Sequence, residues 1–297
     1  MTAIIKKELR GYFISWIGYV FLFILVGLVG LFFSLINLYY QTGDFQNTLS
    51  NITIFLLILV PVLTMRLFAE EARQKTDQLL FTAPVSVTSV VLGKYFSALL
   101  LALIGLALTL IFPLMIVRYG QLPGSEMFTV YLGYTLLIAC FISVGMFISA
   151  CTENQFTASI ITFVAMILIY IMDGIVSAIN TSVTASQSSA SSALISILFV
   201  AIIIGVISYL IYDSTKNYYA AGILALILVA IAAGLYVFNS AIFDGLIVKC
   251  TKWLSVMSRF NNFDNGVLNV SDIIYYISFS GAFIYLTINT IEKRRWK

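Results

Sequence analysis

Eight stretches of this chain contain no Asp, Glu, Lys or Arg: residues 11–43, 45–65, 95–117, 127–152, 154–172, 174–212, 217–243 and 273–291. The shortest are 19 residues long, and coiled as α-helix such a stretch reaches about 28 Å, close to the roughly 30 Å of a bilayer's hydrocarbon core. Backbone amides and carbonyls find no partners in lipid, so a spanning segment must satisfy them within itself. The windows therefore predict an all-α fold, a polytopic transmembrane helix bundle of about eight spans, forming one domain over residues 1–297. Composition agrees, with 61% hydrophobic and 10% charged residues against about 45–50% and about 25% in soluble domains. A water-soluble globular protein is excluded.

The residue inventory removes most chemistry. There is no histidine, hence no imidazole to act as base, proton shuttle or metal ligand. Cys140, Cys151 and Cys250 are far apart in sequence and read as small hydrophobes. The Gly93-Lys94 pair is no phosphate-binding loop, because Thr88 stands where the earlier glycine belongs and Tyr95 where Ser or Thr should follow. No G-x-S-x-G elbow is present. Within the spans Asp173 is the sole carboxylate, so the facing pair of an intramembrane aspartyl enzyme is missing. The chain is expected not to be an enzyme, with no catalytic residue, no metal and no cofactor of its own. Asp173 itself has two readings. Between Met172 and Gly174 it suits first a helix end near the headgroups; the alternative is the substrate contact of a stand-alone secondary transporter or channel. The net charge of +3 is spread over window ends rather than along one stripe, which speaks for topology and against nucleic acid.

Spans placed at 14–38, 50–67, 95–117, 128–150, 156–176, 193–212, 218–238 and 273–291 put both termini on one side. That side then holds twelve cations, Lys6, Lys7, Arg10, Arg66, Arg73, Lys75, Lys94, Lys216, Lys293, Arg294, Arg295 and Lys297, and the other holds four, Arg118, Lys249, Lys252 and Arg259. The excess predicts cytoplasmic termini in a multi-pass plasma-membrane protein. The first apolar window is too long for a signal core and no A-x-A site follows it, so the N-terminal segment is expected to be retained. Residues 1–13 read as an interfacial helix with Ile5, Leu9 and Tyr12 on one face and Lys6, Lys7 and Arg10 on another; the alternative is a plain cationic flank. The polar run Asn180–Ser192 reads as an outer loop, the alternative being a re-entrant hairpin in a six-span protein.

Two segments outside the spans stand out by length. Residues 239–272 carry Leu246, Cys250, Trp253 or Leu254, and Met257 at helical spacing, with Lys249, Lys252, Ser255 and Arg259 between them. This predicts an amphipathic helix in an extracellular segment, either lying on the outer leaflet or packed as a lid over the bundle. Residues 66–94 form the one long charged cytoplasmic segment, with 7 of the chain's 29 charges. Residues 68–82 favour helix, Glu70 and Glu71 lead into Arg73 and Lys75, and Leu79, Leu80 and Phe81 make an apolar knob. Pro84 closes the helix at Ala83, and Ser86 is placed to cap the helix of the third span. A soluble partner could grip the first of these helices in a groove.

Glu70-Glu71 with the basic residues after them, Thr76, Leu79-Leu80, Thr82-Ala83-Pro84-Val85-Ser86 and Gly93-Lys94 together resemble the signature that follows the second span of ABC-2 type transporter permeases. The chain is most similar to the gliding-motility-type subunits among them. The likeness resumes at Gly266-Val267-Leu268, Asp272 and Ile274-Tyr275, before the last span. It implies a permease subunit coupled to a separate cytoplasmic ABC ATPase, which would hold the ATP and magnesium, and to a second permease copy or paralogue, with export as the expected direction. Glu70, Glu71, Arg73, Thr76, Leu79, Leu80 and Pro84 would shape the ATPase contact, and Glu153 in the short loop 151–156 would add a smaller one. The chain departs from the family pattern at Lys75, where glycine is common, and at Gln78, where glutamate is. Six spans are usual in the family, so the hairpin 193–238 looks inserted. An ATPase-coupled membrane scaffold that moves no substrate fits the same residues.

Overall fold

The computed structural model of the chain describes residues 1–76, 86–119, 124–185 and 255–295. Internal contacts divide the chain into two compact units, one of Met1–Ile169 with Val256–Lys297 and one of Tyr170–Ser255. Within the second unit the described residues are 170–185 and 255.

Every regular element among the described residues is helical: α1 (Thr2–Ile14), α2 (Ile17–Phe33, prolonged by a π-helical stretch Ser34–Tyr39), α3 (Phe45–Thr64), α4 (Ala69–Gln74), α5 (Val87–Thr109), α6 (Ile111–Tyr119), α7 (Gly124–Cys151), α8 (Gln155–Ala185), α9 (Val256–Asp264) and α10 (Val270–Arg295). Five helical stretches are long and apolar enough to cross a membrane, Ile17–Tyr39, Phe45–Gln74, Val87–Arg118, Glu126–Cys151 and Val270–Arg294, and Gln155–Ile171 is a shorter apolar helix. These coincide with the first five predicted spans and the last. The sixth and seventh, 193–212 and 218–238, lie outside the described residues.

The larger unit is built around α7, which packs against α3, α4, α5, α9 and α10. Its most apolar window is 78% buried, whereas those of α2 and α10 are 22% buried. Leu137, Ile138, Cys140, Phe141, Ile142 and Val144 all lie inside, so α7 is hydrophobic all round and encased, as such a helix must be. Small residues let its neighbours come close. A Cβ on Gly133 would stand 2.5 Å from Cβ of Phe263 in α9, and the space left open is filled by that ring.

Several sequence expectations are corrected by the backbone. The helix expected over 68–82 ends far short of Pro84: α4 stops at Gln74, with Lys75 in the left-handed region at φ 56°. The Lys75 amide turns back to the Ala72 carbonyl and that of Thr76 to Glu71, a helix-terminating turn that spends the remaining carbonyls before the proline is reached. The outer loop expected from Asn180 does not begin there, since α8 runs on to Ala185; the rest of that segment lies outside the described residues. Asp173 therefore has helix on both sides and is not at a helix end; its side chain lies outside the description. Ser86 does cap α5, its hydroxyl accepting from the Ser89 amide at 3.4 Å.

The residues preceding the first span are helical, as expected, with Tyr12 buried and Lys6, Lys7 and Arg10 exposed. Ile4, Glu8 and Tyr12 face the bundle, with Ile4 against Gly93, Glu8 against Lys94 and Tyr12 donating to the Leu63 carbonyl. Ile4, Ile5, Glu8 and Leu9 are all half-buried. The contacts thus include a polar residue, Glu8, which apolar spacing alone does not mark. At the other extreme of the unit, α9 is a packed lid, burying Val256, Met257, Phe260 and Phe263. Its residues contact α3 and α7, and the outer-leaflet alternative does not hold for this part of the segment. The predicted stripe from Leu246 to Leu254 is outside the described residues.

Candidate functional site

The chain leaves α3 through Met65–Phe68 and enters α4, and this elbow is fastened from three directions. From α7, the Ser149 hydroxyl accepts from the Phe68 and Ala69 amides, both at 3.1 Å, and donates to the Met65 carbonyl at 3.2 Å. Phe68 offers no side-chain cap of its own, so a residue 80 positions away satisfies the amides that a helix start leaves orphaned. From α1, the Tyr12 hydroxyl donates to Leu63 at 3.2 Å, and the Arg66 guanidinium donates to the Ser15 hydroxyl. Burial, and then the nearby Glu8 carboxylate, push the Tyr12 hydroxyl well above the usual tyrosine range, so it remains a donor at any physiological pH.

The third fastening comes from α5. Lys94 is 2% exposed, and its ammonium donates to the Leu67 carbonyl at 2.6 Å while pairing with Glu71 at 2.8 Å and Glu8 at 3.3 Å. An ammonium has three donors and no acceptor, and each donor here meets an oxygen from a different element: α1, the elbow and α4. The Phe68 ring lies 5.1 Å from the same nitrogen. Gly93 makes this reach possible, because a Cβ there would stand 2.8 Å from Cγ2 of Ile4 and would hold α1 off α5. Arg66 and Glu70 add an i,i+4 pair at 2.9 Å, and Lys7 lies 3.9 Å from Glu71. Three cations and three carboxylates thus line an open cavity of about 520 Å³ between α1 and α4.

The predicted site residues divide in two. Glu70 and Glu71 are turned into the protein and engaged by Arg66 and Lys94. Arg73, Gln74, Lys75 and Thr76 are exposed, the Thr76 hydroxyl donating to the Glu71 carbonyl at 3.4 Å. Glu153 is exposed in the link between α7 and α8, four residues beyond Ser149 and so at the same end of α7 as the elbow. That end also receives the C-terminal part of α10, where Thr290 and Arg294 approach Cys151. Leu79, Leu80 and Pro84 fall outside the described residues. Sequence reasoning missed Glu8, Lys94 and Ser149 as members of this cluster. The signal for Lys94 was present, as the lone charge between residues 87 and 117. No local pattern marks Ser149, whose role exists only once α7 is packed beside the elbow.

Among the described residues no group of three or more His, Cys, Asp or Glu is placed to hold a metal ion. A bundle of membrane-crossing helices with a short charged helix fastened at one end is the architecture of a membrane protein. Residues 32–239 match the family described as ABC-2 family transporter protein. The match covers more than half of the chain, which belongs to this family and is a membrane transport component. No curated protein and no solved structure matches it.

Proposed function

We propose that this chain is the membrane-spanning permease subunit of an ABC-2 type transporter, driven by a separate cytoplasmic ABC ATPase and working with a second permease copy or paralogue. The elbow end of α7 faces the cytoplasm in this reading, and both termini with it, in agreement with the distribution of Lys and Arg. Two further spans within 193–238 complete about eight, the membrane is the plasma membrane, export is the direction, and the gliding-motility-type subunits are the nearest group. ATP and magnesium belong to the partner.

The observation that carries this reading is the arrangement of α4. Its inward carboxylates are engaged by Arg66 and Lys94, its first amides are held by Ser149, and Arg73–Thr76 remain exposed beside the loop that carries Glu153. A helix so fastened to the bundle base moves as part of it, so a partner gripping the exposed side and the following Leu79-Leu80 segment would move the spans. The test is replacement of Leu79 and Leu80 by Asp in the full chain co-expressed with its ATPase. Membrane insertion should persist while the ATPase no longer co-purifies; unchanged co-purification overturns the assignment.

A further inference from the structure

Lys94 is one of the largest fully buried side chains among the described residues, and nothing in the reading above requires a buried cation at that place. Its three oxygens come from three separate stretches of chain, Glu8 in α1, Leu67 in the elbow and Glu71 in α4. The direct fastening of α4 to the bundle is at its first turn, through Ser149. Its second carboxylate reaches the bundle closely through this ammonium, at 2.8 Å, and more loosely through the exposed Lys7 of α1, at 3.9 Å.

We propose that Lys94 is a positioning residue that locks α4 to α1, so that displacement of α4 is delivered to the α1–α2 elbow as well as directly into α3. The physical reason is the asymmetry of buried charge. Forming a buried ion pair gains little, but parting one leaves the buried ammonium short of a carboxylate partner and is strongly unfavourable. When α4 moves, the less costly course is for Glu8 and α1 to travel with it. Gly93 keeps α1 close enough for the link, and the Tyr12–Leu63 and Arg66–Ser15 bonds hold the far end of α1 to the far side of the elbow. The α1–α2 turn lies immediately beyond, at Trp16, which adopts φ 59°. Two helices of the bundle, α2 and α3, are thereby driven from one short lever.

The test has two arms on the full-length chain in lipid nanodiscs. In the first, spin labels at Lys6→Cys and Gln74→Cys, both exposed positions, report the α1–α4 distance by pulsed electron paramagnetic resonance, with Cys151 and Cys250 replaced by Ser. A narrow distribution is expected for the parent, a distribution about twice as wide for Lys94→Met, and recovery for Lys94→Arg. Glu8→Ala, which removes only the α1 partner, should broaden it as well and decides the matter if Lys94→Met does not fold. A distribution that stays narrow in Lys94→Met, or in Glu8→Ala where Lys94→Met is lost, overturns the proposal. The second arm rests on the permease reading and uses the complex with the ATPase. Lys94→Met should still co-purify, while the permease-dependent kcat for ATP falls about 5-fold or more with KM unchanged. Loss of co-purification by the parent chain would defeat the permease reading and leave the distance arm to judge the lock; an unaltered kcat in Lys94→Met would defeat the lock as a transmitter.

Discussion

The two ends of α7 hold their neighbours by different means. Near Gly133 and Tyr134 it receives α9, whose Phe260 and Phe263 are buried against it. Beside this contact an ion pair joins α9 to α10: Arg259 donates to Asp272 at 2.8 Å and stacks 4.1 Å from the Tyr275 ring centroid, and Asn262 donates to the second carboxylate oxygen at 2.8 Å. At the other end, Ser149 and Lys94 fasten α4 through hydrogen bonds and ion pairs beside an open cavity. The packing of α9 on α7 is apolar, with Arg259 and Asn262 bonding to α10 instead, whereas at the elbow directional bonds from Ser149 and Lys94 fix the angle of α4. On the permease reading proposed above, the elbow end is the one suited to communicating with a partner.

The largest expected effect lies at the lid. Asp272→Ala leaves Arg259 and Asn262 without their shared acceptor in a pair only 12% and 6% exposed. It should cost about 3 kcal/mol, read from unfolding in mixed micelles, without altering ATPase co-purification. Equal damage to co-purification would break the division between the ends. Ser149→Ala should cost less, about 2 kcal/mol, because two amides and a carbonyl lose a neutral partner. Its distinguishing sign is faster hydrogen exchange of the Phe68 and Ala69 amides with no change around α9. The smallest effect has the opposite direction. Lys75→Gly relieves the left-handed conformation at φ 56° and should gain about 0.5–1 kcal/mol after the added freedom of the unfolded chain is set against it. A loss of stability would show that the Lys75 side chain contributes more than its backbone strain takes away.

Lys75 also shows what the sequence does and does not disclose. The resemblance to ABC-2 permeases marks that position as one where glycine is common, and the backbone supplies the reason, a helix-ending residue with positive φ. Yet the same stretch read by propensity alone continues as helix to Pro84, because a turn closed by the Lys75 and Thr76 amides has no composition of its own. Glu70 and Glu71 were legible as site residues through their density of charge in a charge-poor chain. The close partner of Glu71 was not, since Lys94 stands 23 positions away in sequence, and Glu8, which shares that ammonium, stands 63 away; the three meet only after α1 and α5 pack. On α1, apolar spacing likewise gives no sign of Glu8, which pairs with the buried Lys94.

The sequence by itself determined that this is a helical membrane protein and roughly where five of its spans and a sixth apolar helix lie. Hydrophobic length is a local property, and lipid compels helix wherever that length is met. The tertiary structure alone decided which charges are spoken for and which remain exposed. Pairing is a property of distance, and Lys94, Glu8 and Glu71 are brought within 3.3 Å by a close helix approach that only Gly93 permits.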